Sequence, residues 1–364
     1  MSAAGDAAGA LRLSGMAHLV FVRDIGARID LPAVRARLAA ESAVIGRRHS
    51  APAWFEFDPP PVRITQHDVP RPAGTHVLPE IEIVLYEFGA ASVSFAVPFT
   101  GTTEDLVELS CALTAEAALE RLASERMQAL LAELGDAVQN PRLDELVEDY
   151  LVLHVRERSP ELLPAALVER HGPDLARILR AERLPLAAQE IEEALAVRVS
   201  YSTDDLALVD WNVALVFDRD ADAVRSVLEF ANVQLLEMRF LDRRLDQSLD
   251  RSWELLRTRR LRDRLRGPGP AMVHVAALQV DAALLYESVT NALKLLGDQY
   301  LARVWTQAGR RLRLPDWTAA IRHKLDTLDR IHGQFAERAS ALRLEALEWI
   351  VIALITLSIV LSMH

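Results

Sequence analysis

The apolar positions of this chain change their period part-way along. As far as residue 218 they come in short runs bounded by Gly, Pro and Asp; beyond residue 220 they recur every three or four positions over long stretches. The first texture predicts strands interspersed with helices, the second predicts long helices.

In the first region His18 to Arg23 (HLVFVR) reads as a strand. Leu31 to Leu38 reads as a short helix, with Asp30 as its N-cap and Pro32 in its first turn. Residues 58–79 hold six prolines and read as a loop or an edge excursion. Ile81 to Phe88 and Ser92 to Phe99 look like a hairpin around Gly89. Thr103 is placed to cap a helix reaching about Leu134, with Glu104 and Asp105 in its first turn. Leu146 to Val155 reads as a strand, and 160–183 as a helix interrupted near Gly172-Pro173. Leu195 to Tyr201 and Leu206 to Phe217 read as a second hairpin. The expected class is α+β over residues 16–218, behind a short disordered tail of mostly small residues at 1–15, with a mixed or antiparallel sheet.

In the second region Val224, Leu228, Ala231, Leu235, Met238, Asp242, Leu245, Leu249, Ser252, Leu256 and Arg259 alternate at four and three residues, and eight of the eleven are apolar. That is a heptad seam, and it stops at Gly267-Pro268-Gly269-Pro270. A second seam runs from Leu278 to Leu296, with no further strand expected, and a third from Ile321 to Ala346, giving a long antiparallel, coiled-coil-like helical bundle over 221–346. The last helix can continue into Trp349 to Met363, which carries no charge. This segment predicts a C-terminal transmembrane helix over 347–363, a tail anchor formed by Trp349, Ile350, Ile352, Leu354, Ile355, Leu357, Ile359, Val360 and Leu361.

Charge sharpens that division. Residues 1–220 hold 20 Lys and Arg against 35 Asp and Glu, a net −15; residues 221–364 hold 21 against 17, a net +4. An acidic front half does not suit DNA binding, which needs phosphate neutralisation. Arg330, Arg338 and Arg343 precede the apolar tail and no Lys or Arg follows it, so the expected location is the cytoplasmic membrane with residues 1–348 on the cytoplasmic side. The Arg- and Ala-rich composition suggests a GC-rich bacterial genome, and the mean hydropathy of +0.09 owes much to the tail.

Two charged constellations stand out. Arg257, Arg259, Arg260, Arg262, Arg264 and Arg266 could contact anionic lipid or RNA phosphates, or simply form a solvated helix end. Glu237, Arg239 and Asp242 lie within an apolar helical seam, where they could fix helix register or form a binding cluster. The single cysteine, Cys111, excludes an internal disulfide, and the ten histidines are scattered. The sequence contains no Walker A loop, GxGxxG, GxSxG or HExxH. No catalytic residue, cofactor or metal is therefore expected.

LEFANVQLLEMRFLD (228–242), IVLYEFGAASVSF (83–95) and LEWIVIALI (347–355) resemble the required-for-meiotic-nuclear-division family. The resemblance covers about residues 80–360. It implies an α+β domain joined to helices and a C-terminal hydrophobic segment. The family's eukaryotic members are organelle proteins, among them mitochondrial inner-membrane proteins tied to translation. The expected function is a tail-anchored, self-associating membrane scaffold whose partners are the lipid bilayer and further copies of itself. One alternative is a membrane tether for ribosomes or RNA through the arginine run. The other is an enzyme with an unrecognised site in the α+β domain.

Overall fold

The structure, a computed structural model, describes residues 11–38, 55–57, 60–72, 75–258, 293–295 and 299–362, with 280, 283 and 287 as single positions. The chain forms two compact units, one of residues 1–237 and 288–315, the other of residues 238–287 and 316–364.

The first unit is built on an eight-stranded sheet. Its strands are β1 (Arg12–Asp24), β4 (Val62–Gln66), β5 (Ile81–Leu85), β6 (Ala90–Thr102), β8 (Glu148–Ser159), β9 (Arg198–Val199), β10 (Leu206–Val209) and β11 (Val213–Phe217). Their order is β4-β5-β6-β1-β8-β11-β10-β9. Every neighbouring pair is antiparallel except β8 and β11. The sheet is therefore mixed, within the expected class. Short pairs β2 (Arg28–Ile29) with β7 (Val138–Gln139) and β3 (Phe55–Phe57) with β12 (Leu293–Leu295) lie outside it. The expectation of no strand beyond residue 220 thus fails at β12. Most of the second heptad seam lies outside the described residues.

Strand alternation sorts the sheet into two faces. Leu13, Ala17, Leu19 and Phe21 of β1 join Val93, Phe95 and Val97 of β6 and Leu151, Leu153 and Val155 of β8 in one buried apolar layer. Helices α2 (Thr103–Thr114), α3 (Ala117–Leu134) and α4 (Pro164–Arg180) close that layer with Leu106, Leu119, Met127, Leu130, Leu175 and Ile178. Helix α5 (Ala188–Ala194) follows α4, and the opposite face of β5 and β6 receives helix α6 (Asp222–Thr258). Ser92 Oγ donates to Glu229 Oε1 at 2.5 Å, and Arg225 Nη1 donates to Glu82 Oε2 at 2.8 Å.

Local chemistry explains the element ends. Asp30 Oδ1 accepts from the Ala33 N–H at 3.0 Å and caps α1 (Leu31–Arg37), as expected. The cap of α2 is Thr102, not Thr103: Thr102 and Asp105 form a reciprocal capping box. The predicted helix from 103 to 134 breaks into α2 and α3, because the Glu116 carboxylate starts a new N-terminus on the Ala118 N–H. Helix α4 is kinked at His171, just before Pro173, where the sequence places an interruption. The predicted strand 206–217 is itself a tight hairpin, β10 and β11, folded at Asp210-Trp211-Asn212. Gly15 sits where β1 and β8 shift register; a Cβ there would lie 1.9 Å from the His154 carbonyl oxygen, so this approach requires glycine.

The described residues of the second unit are helical: the end of α6, positions 280, 283 and 287, and most of α8 (Leu314–Ser362), a helix of 49 residues. Lys324 Nζ on α8 lies 2.6 Å from both Asp242 and Asp246 on α6, so the two helices run side by side there. Leu245, Ile321 and Leu328 are buried.

The expected transmembrane tail anchor fails. Among the described residues no helix is long and apolar enough to cross a membrane. The uncharged run Trp349 to Met363 would span about 22 Å as a helix, against a hydrocarbon core of about 30 Å. Glu345 and Glu348 stand on its N-terminal side. The cytoplasmic-membrane location and the tail-anchored scaffold rested on that anchor and are corrected with it.

Candidate functional site

Buried polar groups gather where α6 crosses the sheet. Arg225, Glu229 and Asn232 recur at helical spacing, so all three fall on one stripe of α6. All are buried. Arg225 bridges to Glu82, which also pairs with Arg63 at 3.2 Å. Burial opposes ionisation of Glu82, but the guanidiniums of Arg225 and Arg63 outweigh it and hold its carboxyl down at about 2. Burial, reinforced by the Arg225 charge, lowers His18 to about 3, so its ring is neutral. Phe230 stacks on Trp305 at 5.5 Å and meets Tyr86 at 5.7 Å and Phe88 at 6.4 Å.

Two turns further along α6, Glu237 is fully buried, and neither of its carboxyl oxygens has a hydrogen-bond partner among the described residues. The charge acting most strongly on it is that of Asp24, also buried, at the end of β1. Asp24 Oδ1 lies 2.7 Å from Arg142 Nη2. The segment carrying Arg142 is stitched to β1 by the Arg142 N–H to the Ile25 carbonyl and the Asp144 N–H to the Asp24 carbonyl, each 3.0 Å. Burial, opposed by Arg142, raises the Asp24 carboxyl to about 7. Burial and then the Asp24 charge push Glu237 well above the ordinary carboxyl range. This arrangement can hold and release a proton. Among the described residues no group of three His, Cys, Asp or Glu is placed to bind a metal ion.

A third buried acid, Asp210, sits in the β10–β11 turn. Arg311, at the end of α7 (Gln299–Arg311), donates to Asp210 Oδ1 through Nε at 2.6 Å and through Nη2. Arg180 Nε lies 3.0 Å from Asp210 Oδ2, and the Tyr150 hydroxyl donates to the Asp210 carbonyl at 3.0 Å. This lock fastens α7 and α4 to the edge of the sheet.

The sequence-derived candidates separate in space. Glu237 is fully buried in the first unit, Asp242 pairs with Lys324 in the second, and Arg239 between them in sequence is half-buried. Arg257 lies near the end of α6; Arg259, Arg260, Arg262, Arg264 and Arg266 fall outside the described residues. Trp349, Ile350, Ile352, Leu354, Ile355 and Leu361 are exposed on α8. Leu357, Ile359 and Val360 belong to the same helix. Asp24, Glu82 and Asp210 escaped sequence reasoning, since nothing local marks an acid as buried. The Arg225–Glu229–Asn232 spacing was a usable signal: three polar groups on one stripe of an apolar helix.

Comparison with known proteins places the α+β region. Residues 14–223 match the family model described as the N-terminal domain of the uncharacterised protein MJ0711. The chain belongs to this family. The match ends as α6 begins, so it holds Asp24, Glu82 and Asp210 but not Arg225, Glu237 or Arg311. MJ0711 itself, from Methanocaldococcus jannaschii, is 22% identical over 245 residues, covering 66% of this chain and 73% of the relative. No solved structure matches the chain significantly. The family has no assigned function, and the comparisons show no link to the required-for-meiotic-nuclear-division family.

Proposed function

We propose that this protein is a self-assembling module in which the α+β unit is carried on helices that associate with further copies of the chain. One observation carries the reading. On the last turns of α8, Trp349, Ile350, Val351, Ile352, Leu354, Ile355 and Leu361 are all more than half exposed, Trp349 at 71%. A helix that is apolar on every side needs cover on every side, and an exposed apolar patch of this kind marks an interaction surface. A second copy suits it. Trp349 to Met363 carries no charge, so identical helices can pack along it without like-charge contacts. Covering about half of each of these seven side chains contributes roughly 1 kcal/mol apiece before the cost of association.

The likeness of 228–242 and 347–355 to the required-for-meiotic-nuclear-division family is part of the same reading. The test is sedimentation equilibrium of the full chain beside a chain ending at Glu348. The expected result is an oligomer for the first and a monomer for the second. A monomeric full chain, an unchanged oligomer after truncation, or a full chain that associates only with added lipid vesicles overturns the reading.

A further inference from the structure

Helix α8 changes character along its length. Beside α6 it is one-sided: Ile321 and Leu328 are buried, while Arg322, Asp326, Asp329 and Arg330 are exposed. At this level Lys324 reaches Asp242 and Asp246 of the neighbouring helix. One neighbour goes with one apolar stripe. From Trp349 to Met363 the helix has no charged side. At about 100° per residue, Ile350, Val351, Leu354 and Leu361 fall within an arc of about 100°, and Trp349 and Ile352 lie on the opposite side. Ile355 stands between the two groups. Each of these side chains is more than half exposed. Thr356 falls on the side of Trp349 and Ile352, and its hydroxyl donates to the Ile352 carbonyl at 2.8 Å, a bond made within the helix.

Area argues against a pair. At these exposures each side chain leaves on the order of 100 Å² in water. A partner on the larger face reaches four of them, about 400 Å² per copy, against about 800 Å² per partner for a stable interface. It also leaves Trp349, the most exposed at 71%, uncovered. Covering both faces and Ile355 between them brings in about 700 Å² per copy, close to that requirement.

We propose that the tail of α8 carries two opposed contact faces, so that each copy meets two others and assembly passes beyond a dimer. The two faces presuppose the self-association proposed above and set its copy number above two. Two contact faces per copy, unlike a single self-complementary one, link three or more copies.

The test is the mass of the lipid-free full chain by sedimentation velocity, beside Ile352→Glu and Leu354→Glu, which place a charge on opposite faces. Both positions are exposed, so the folded chain accommodates either change, and circular dichroism checks that it does. The full chain should sediment as three or more copies, and each variant should at least halve that mass. A dimeric full chain, or a variant on either face that keeps the wild-type mass, overturns the two faces and leaves self-association standing. A monomeric full chain overturns both.

Discussion

Asp210→Ala tests the buried lock at the sheet edge. Asp210 is fully buried between two guanidiniums, Arg311 and Arg180, whose side chains are 10% and 22% exposed. Removing one member of a buried ion pair costs about 3–5 kcal/mol, because the remaining charge has lost its compensation. Here the cost falls at the low end. Arg311 keeps Glu193 at 3.6 Å, and Arg180 keeps Glu190 at 3.3 Å. The lost bond from the Trp211 N–H to Asp210 Oδ1, 2.8 Å long, adds about 1 kcal/mol. The expected destabilisation is about 4 kcal/mol, read as a lower urea midpoint at unchanged slope. A double-mutant cycle with Arg311→Ala should return a coupling of about 2–3 kcal/mol. Amides of α7 should lose exchange protection more than those of β1. A loss below about 1 kcal/mol, or additive single mutants, would refute the view that Asp210 fastens α7 to the sheet.

Two other substitutions follow from the same geometry. Phe230→Ala removes a fully buried ring from contact with Trp305, Tyr86 and Phe88, and should cost about 3–5 kcal/mol by denaturation; a cost near that of a surface substitution would show that α6 does not pack on this face. The Glu82 carboxyl is held at about 2, below its ordinary value of 4.5, so its contribution is present above that ordinary value and is lost as the pH falls toward 2. Glu82→Gln should therefore lower stability at neutral pH and flatten the acid limb of the wild-type stability profile, measured by thermal melts across that range.

Much of the fold was legible in the chain because its determinants are local. Asp30 is a cap wherever the helix after it goes, Pro173 disturbs any helix that contains it, and Gly89 suits the turn between β5 and β6 because its φ is +106°. The change of apolar period near residue 220 marks where α6 begins. The tail shows the limit of composition. Fifteen uncharged residues suggested a membrane span, but length sets that outcome, and among the described residues no helix meets it.

Sequence alone thus determined most of the element types, the cap at Asp30, the interruption before Pro173 and the switch from α+β texture to long helices, since each depends on residues within a few positions of one another. Tertiary structure decided that β11 runs parallel to β8, that Arg225 meets Glu82, and that Asp24 and Glu237 are buried. Strand neighbours and buried ion pairs join distant parts of the chain. The protonation of a carboxyl is set by the water it loses and the charges brought beside it, which exist only once the chain has folded.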